Sequence, residues 1–100
     1  MKILKKISII ITSLLISVGV AKAETWNMAL AYGAGNFHSQ NAADFAKAVT
    51  EKSGGNLIIN VHPGGSLFKG GAILRAVQTG QTQIGERFMS AHGKFDPLLE

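Results

Sequence analysis

The middle of the chain contains the stretch Asn56-Leu57-Ile58-Ile59-Asn60-Val61-His62-Pro63-Gly64-Gly65-Ser66. Its first seven residues form a nearly continuous apolar run, which is typical of a parallel strand that is covered on both faces. The proline and the two glycines that follow predict a turn. We therefore expect a buried strand over residues 56–62 and a change of chain direction over residues 63–66.

The residues before this stretch predict a helix that runs from His38 or Ser39 to Lys52. Four apolar positions recur there at the spacing of one helix face, namely Ala42, Phe45, Ala46 and Val49. We expect this stripe to pack against the sheet. Gly54 and Gly55 end the helix, because glycine readily adopts the left-handed conformation that closes a helix.

Two further strands and one further helix complete the predicted order. Large apolar side chains alternate over residues 26–32, which predicts a first strand. Residues 71–79 predict a second helix that stops at Gly80, and residues 82–86 predict a short third strand. The order strand–helix–strand–helix–strand predicts an α/β fold, in which right-handed crossovers join parallel strands. After Phe88 the pattern indicates a loop.

The excess positive charge is confined to the amino terminus. The formal net charge is +4, and residues 1–23 hold four lysines and no acidic residue. Residues 24–100 hold six basic and six acidic groups and are therefore neutral. A neutral body argues against binding to a nucleic acid backbone, which needs clustered cations.

The same terminus has the three-part layout of a secretory signal peptide. Lysines precede the apolar run Ile7–Val20, and Ala21 and Ala23 occupy the −3 and −1 positions of a peptidase site. The run has 14 residues, fewer than the ~20 that a membrane-spanning helix needs, so an uncleaved anchor is the weaker alternative. We expect cleavage after Ala23 and export to the periplasm.

Patterns for catalysis or metal binding are weak in this sequence. Gly65 and Gly70 have the spacing of a phosphate loop, but the lysine that such a loop requires is missing. The histidines at positions 38, 62 and 92 have neither helical spacing nor a neighbouring cysteine, which argues against a metal site. No serine has the glycine-framed surroundings of a hydrolase nucleophile. We therefore expect neither an enzyme nor a bound cofactor.

Glu86 is the most informative polar residue. It ends the third predicted strand on the same face as Ile84, and ligands of open parallel sheets bind beyond the carboxyl ends of the strands. A carboxylate at that place must be solvated, paired or used to hold a ligand. The pattern leaves two interpretations open, an ion-paired structural residue and a ligand contact.

Four segments, in order and with correct spacing, resemble one protein family. They are Asn41–Val49 continued by Glu51–Gly55, Leu57–Leu67 with its Pro-Gly-Gly turn, Ile73–Gly80, and Ile84–Glu86. Behind a signal peptide, they resemble the extracytoplasmic solute-binding proteins of tripartite ATP-independent periplasmic (TRAP) transporters, of the dicarboxylate-binding type. The resemblance extends from about Trp26 to Phe88.

This resemblance implies both a fold and a function. Proteins of the family have two α/β lobes that close on an organic acid, usually a carboxylate, and they deliver it to a membrane permease. Residues 24–100 would then be the incomplete N-terminal part of the first lobe in a two-lobed periplasmic-binding-protein fold (type II-like). An alternative function is a periplasmic ligand-sensing module of a signalling system that uses the same fold.

The resemblance also implies candidate site residues. In the family, the loop after the first strand and an acidic residue contact the ligand, which points here to Asn36, Phe37 and Glu86. The arginine that anchors the carboxylate in the family lies outside this chain. Neither Arg75 nor Arg87 matches its position.

Overall fold

The computed structural model describes residues 22–99, whose three strands form one parallel sheet. The strands are β1 (Glu24–Leu30), β2 (Leu57–His62) and β3 (Ile84–Glu86), and the helices between them are α1 (Phe37–Lys52) and α2 (Ile73–Gln78). Short 3₁₀ turns cover Gly70–Ala72, Met89–His92 and Pro97–Leu99. None of the helices within residues 22–99 has the length and apolar character needed to cross a membrane. The predicted signal peptide lies outside the described residues, apart from its last two.

The first strand in the chain is the central strand of the sheet. The strand order is β2–β1–β3, and both pairings are parallel. The crossover through α1 therefore moves to one side of β1, whereas the crossover through α2 passes over β1 to the other side. Right-handed crossovers in opposite directions place their helices on opposite faces. The α/β fold expected from the sequence is confirmed.

The main core lies between the sheet and α1. Met28 and Leu30 from β1 and Ile59 from β2 pack there against Ala42 and Ala46. Alanine at these two helix positions allows close approach of the helix axis to the sheet. The partly buried side chains around this core are Trp26, Val49, Leu57, Val61 and Ile84.

The opposite face of the sheet packs against α2 through a glycine. A Cβ atom at Gly85 would lie 2.5 Å from Cγ2 of Ile73, closer than real carbon contacts allow. Ile73, Ala76 and Ala29 are all buried on this side. Gly85 therefore sets how closely α2 approaches β3.

Two details of the predicted packing are wrong. In β2, Ile59 is buried but Ile58 and Asn60 are exposed, so the strand is covered on one face and not on both. The reason is that β2 is an edge of the described sheet, with α1 against one face. In α1, Phe45 is 50% exposed, and Ser39 extends the buried stripe in its place.

The element boundaries shift by one or two residues for identifiable reasons. The strand β3 is shorter than predicted, because Thr82 and Gln83 pair with β1 through side chains. The Thr82 hydroxyl donates to the Asn27 carbonyl oxygen at 2.6 Å, and the Gln83 side-chain oxygen accepts from the Asn27 amide at 2.8 Å. Two short 3₁₀ turns occupy the predicted loop after Phe88.

Candidate ligand site at the carboxyl ends of the strands

The chain places β2 on one side of β1 and β3 on the other, so the direction in which strands are added to the sheet reverses between β1 and β3. In open parallel sheets a crevice forms at this switch point, because the loops that follow the two strands lead away to opposite faces. Leu30 and Glu86 are register partners at the ends of these strands. The loop after β1 and the end of β3 therefore meet at one edge of the sheet.

Three hydrogen bonds fix the loop after β1. The Tyr32 carbonyl oxygen accepts from the Gly64 amide and from the Ser39 hydroxyl, both at 2.7 Å. The Gly65 amide donates to the Leu30 carbonyl oxygen at 2.9 Å. Gly64 and Gly65 have φ of 67° and 69°, a backbone conformation that suits glycine. The Pro-Gly-Gly turn thus ties the end of β2 to the start of this loop.

Asn36 has a structural role besides its predicted contact with a ligand. It is the N-cap of α1, and its side-chain oxygen accepts from the His38 amide at 2.9 Å. This bond satisfies one of the free amides that every helix start carries. The Asn36 residue is otherwise exposed, so its amide group remains open to solvent.

Phe37 is the first residue of α1 and is 69% exposed. Its ring packs on the His38 ring with centroids 3.9 Å apart. Tyr32 and Phe88 also face His38, with ring centroids at 5.5 Å and 4.2 Å. These four residues form an aromatic cluster at the carboxyl edge of the sheet, made of Tyr32, Phe37, His38 and Phe88.

The carboxylate of Glu86 lies beside this aromatic cluster. Its Oε1 is 3.6 Å from Nδ1 of His38, which is too long for a strong hydrogen bond but close enough for an ion pair when the imidazole is protonated. Arg87 points to the opposite face, where its guanidinium donates to the Gly70 carbonyl oxygen. The Glu86 carboxylate therefore faces the α1 side, and its titratable neighbour there is His38.

A pocket of about 230 Å³ opens next to Glu86, between α1 and β3. Its walls are mostly apolar, and Asn41 adds a second polar side chain. Its lining residues are Met28, Asn41, Ala42, Phe45, Ile84, Gly85 and Glu86. Within residues 22–99, no three metal-ligating side chains come together. The Glu86 carboxylate thus lies between this pocket and the His38 imidazole of the aromatic cluster.

The structure brings the three predicted site residues to the same edge of the sheet. Asn36 and Phe37 begin α1, Glu86 ends β3, and His38 stands between them. Sequence reasoning considered His38 only as a metal ligand and therefore missed it. The strand order makes residues after β1 neighbours of residues that end β3, and the sequence pattern does not give that order.

The aromatic cluster and Glu86 lie at the switch point of the sheet, where open parallel α/β sheets bind their ligands. Residues 28–100 match the bacterial extracellular solute-binding protein family 7, and the chain belongs to that family. The resemblance seen in the sequence is thereby confirmed.

Three solved structures are similar to the chain. One is a marine metagenome TRAP solute-binding protein specific for pyroglutamate, at 58% identity and a TM-score of 0.74, covering 77% of this chain and 25% of that one. Another is a Bordetella pertussis extracytoplasmic solute receptor that binds pyroglutamic acid. It has 42% identity and a TM-score of 0.74, and the match covers 77% of this chain and 26% of that one. A second such receptor of that organism has 40% identity and a TM-score of 0.75, and the match covers 78% of this chain and 26% of that one.

These matches cover unequal shares of the proteins compared. The chain spans about a quarter of the length of the solved structures that it resembles. Those structures are TRAP solute-binding proteins or extracytoplasmic solute receptors. No curated protein matches the chain.

Proposed function

We propose that residues 24–100 are the N-terminal part of a periplasmic solute-binding protein that captures a small organic acid and delivers it to a TRAP-type permease. The observation that carries this proposal is the 58% identity to a solute-binding protein specific for pyroglutamate. The position of Glu86 and of the Tyr32–Phe37 loop at the switch point supports it. The protein would act by binding and release, without catalysis.

The ligand we propose is pyroglutamate, a cyclic amide that carries one carboxylate. All three of the similar structures described above bind it. Glu86 would accept a hydrogen bond from the ring N–H, while the carboxylate would be held by a residue beyond this segment. Asn36 and Phe37 would border the ligand from the start of α1.

The sensory alternative uses the same fold and the same site. It is not favoured by the similar structures, of which the first is a TRAP solute-binding protein and the next two are solute receptors. A sensor would require an output domain or a membrane span elsewhere in the reading frame. Sequencing the complete reading frame separates the two functions.

Export is part of the proposal. The lysine-rich start, the short apolar run and the Ala21–Ala23 site indicate cleavage after Ala23. Intact-mass measurement of protein recovered from the periplasm should show a species that begins at Glu24. A mature species that still begins at Met1 would contradict cleavage.

The binding function is tested on the mature protein encoded by the complete reading frame. Calorimetric titration with L-pyroglutamate should give a dissociation constant of roughly micromolar or below, about −8 kcal/mol. L-Glutamate, the open-chain relative with a second carboxylate and an ammonium group, serves as the control and should bind more weakly. Absence of binding to pyroglutamate and to other small carboxylates would overturn the proposal.

A further inference from the structure

Two polar atoms in the candidate site are buried without a hydrogen-bond partner. They are Nε2 of His38 and Oε2 of Glu86, and they are the two side-chain atoms of this kind within residues 22–99. Buried polar atoms in native proteins almost always have a partner, so each exception calls for an explanation. Both exceptions here fall on one facing pair of side chains, 3.6 Å apart at Nδ1 and Oε1.

The chemistry of the pair gives the two free atoms complementary roles. The side chain of His38 can carry a hydrogen on Nε2, and the carboxylate of Glu86 can accept at either oxygen. With its hydrogen on Nε2 the imidazole is a donor at that atom, whereas Oε2 of the carboxylate is an acceptor. The facing pair thus offers one unused donor and one unused acceptor.

We propose that His38 is a specificity-determining residue, and that His38 and Glu86 together bind the amide edge of a small lactam. A five-membered lactam holds its N–H and C=O on the same side of the ring, because the ring enforces the cis amide. The N–H would donate to Oε2 of Glu86, and the carbonyl oxygen would accept from Nε2 of His38. This inference rests on the proposed binding of pyroglutamate and adds the residue that selects the ring carbonyl.

Access to the pair requires movement of the surrounding rings. Phe37 and Phe88 pack on His38 at 3.9 Å and 4.2 Å between centroids, yet they are 69% and 43% exposed. Side chains that are so exposed give up little packing when they change rotamer. We expect the ligand to enter between these two rings and to take their place against the imidazole.

The test compares the binding of three ligands to the mature full-length protein. L-Pyroglutamate has both the N–H and the ring carbonyl. L-Proline keeps a ring nitrogen donor, as a charged ammonium, and lacks the ring carbonyl. The lactone analogue 5-oxotetrahydrofuran-2-carboxylate keeps the ring carbonyl and lacks the N–H. Affinities are measured by calorimetry, with competition titrations for the weaker ligands.

His38→Phe keeps an aromatic ring and removes the donor. We expect it to weaken pyroglutamate binding tenfold or more, to weaken lactone binding by a similar factor, and to leave proline binding unchanged. His38→Gln places an amide donor near the position of Nε2 and should restore part of the lost affinity. His92→Phe, in the turn Met89–His92, is the matched histidine control and should change none of the three affinities.

The outcomes separate this inference from the proposed function. If the wild-type protein binds none of the three ligands, the proposed function fails and this inference fails with it. If the wild type binds pyroglutamate and His38→Phe binds it equally well, only the role of His38 is wrong. Equal weakening of all three ligands, with no rescue by His38→Gln, would also contradict carbonyl recognition and would indicate a packing role. Melting curves of each ligand-free variant show whether it is folded.

Discussion

At the scale of single residues, Glu86 is the side chain whose role most needs a direct test. Its carboxylate faces His38 at 3.6 Å and borders a pocket, so the structural and the ligand-binding interpretations both have a physical basis. The two interpretations predict opposite patterns of affinity and stability. A single conservative substitution separates them.

Glu86→Gln keeps the size of the side chain and one acceptor oxygen but removes the charge. We expect pyroglutamate binding to weaken by one to two decades, since a hydrogen bond to a charged group contributes about 1.5–3 kcal/mol. The melting temperature of the ligand-free protein should stay nearly unchanged. Calorimetric titration and melting curves of the mature full-length protein measure the two effects.

The reverse result would assign Glu86 to the scaffold. If affinity is retained and the ligand-free protein melts at a lower temperature, the carboxylate serves to pair with His38. His62→Gln is a useful control for stability, since His62 bonds to the Asn27 side chain at 3.0 Å on the other face of the sheet.

The sequence predicts part of this site and misses the rest for a physical reason. Glu86 stands out because it is a charge at the end of an apolar strand. His38 does not stand out, because its partners Glu86 and Phe88 are far away in the chain. Periodicity reports which residues share a face of one element, and it carries no information about side chains that meet between elements.

At the scale of elements, the start of α1 combines capping with a proposed ligand contact. We expect Asn36→Ala to destabilise the protein by about 1 kcal/mol, because the His38 amide loses its acceptor. Asn36→Asp keeps an acceptor at the N-cap and should retain stability. Denaturant unfolding of both variants measures the difference.

Binding titrations of the same two variants test the second role of Asn36. Asn36→Asp preserves the cap but replaces an amide with a negative charge, which should repel a carboxylate ligand and weaken its binding. Equal stability of Asn36→Ala and wild type would contradict the capping role. Unchanged affinity of Asn36→Asp would remove Asn36 from the ligand site.

The contact between α2 and β3 gives a prediction about packing. We expect Gly85→Ala to destabilise the protein by about 1–3 kcal/mol, because the added methyl group would lie 2.5 Å from Cγ2 of Ile73. Gly71→Ala is the matched control, since its nearest neighbour would be Nη1 of Arg87 at 4.0 Å. Thermal melts compare the two variants, and equal melting temperatures would show that α2 can shift without loss.

The sequence predicts the positions of the helices and strands well, but it does not predict which parts of them are covered by other elements. Glycine pairs and the Pro-Gly-Gly turn mark the ends of α1 and β2 within a residue or two. The exposure of Ile58 and of Phe45 was not predictable, because it depends on which element covers each face. An apolar run indicates that burial of these side chains is favourable, but it does not say which element covers them.

At the scale of the whole molecule, the described residues leave much apolar surface exposed. The core holds small residues such as Ala42 and Ala46, while many large side chains are at least a third exposed. They are Phe37, Phe45, Ile58, Val77, Phe88, Met89, Phe95 and Leu98. Exposed apolar surface on this scale is typical of regions that other parts of a protein cover.

We therefore predict that residues 24–100 alone do not form a stable monomer. The backbone edges of β2 and β3 in the described sheet are open to association, and the exposed side chains add an apolar driving force. Light scattering after size-exclusion chromatography should show aggregates or oligomers. A monodisperse monomer with a cooperative thermal transition would contradict this prediction, and the full-length protein is the positive control.

The central position of β1 has a consequence for the speed of folding. Every backbone pairing of β1 joins it to a residue more than thirty positions later, in β2 or in β3. Chains dominated by such distant pairings fold slowly, because loops must close before any pairing is gained. The first strand to be synthesised therefore has no partner until β2 and β3 have been made, and the proposed export would take place while it is still unpaired.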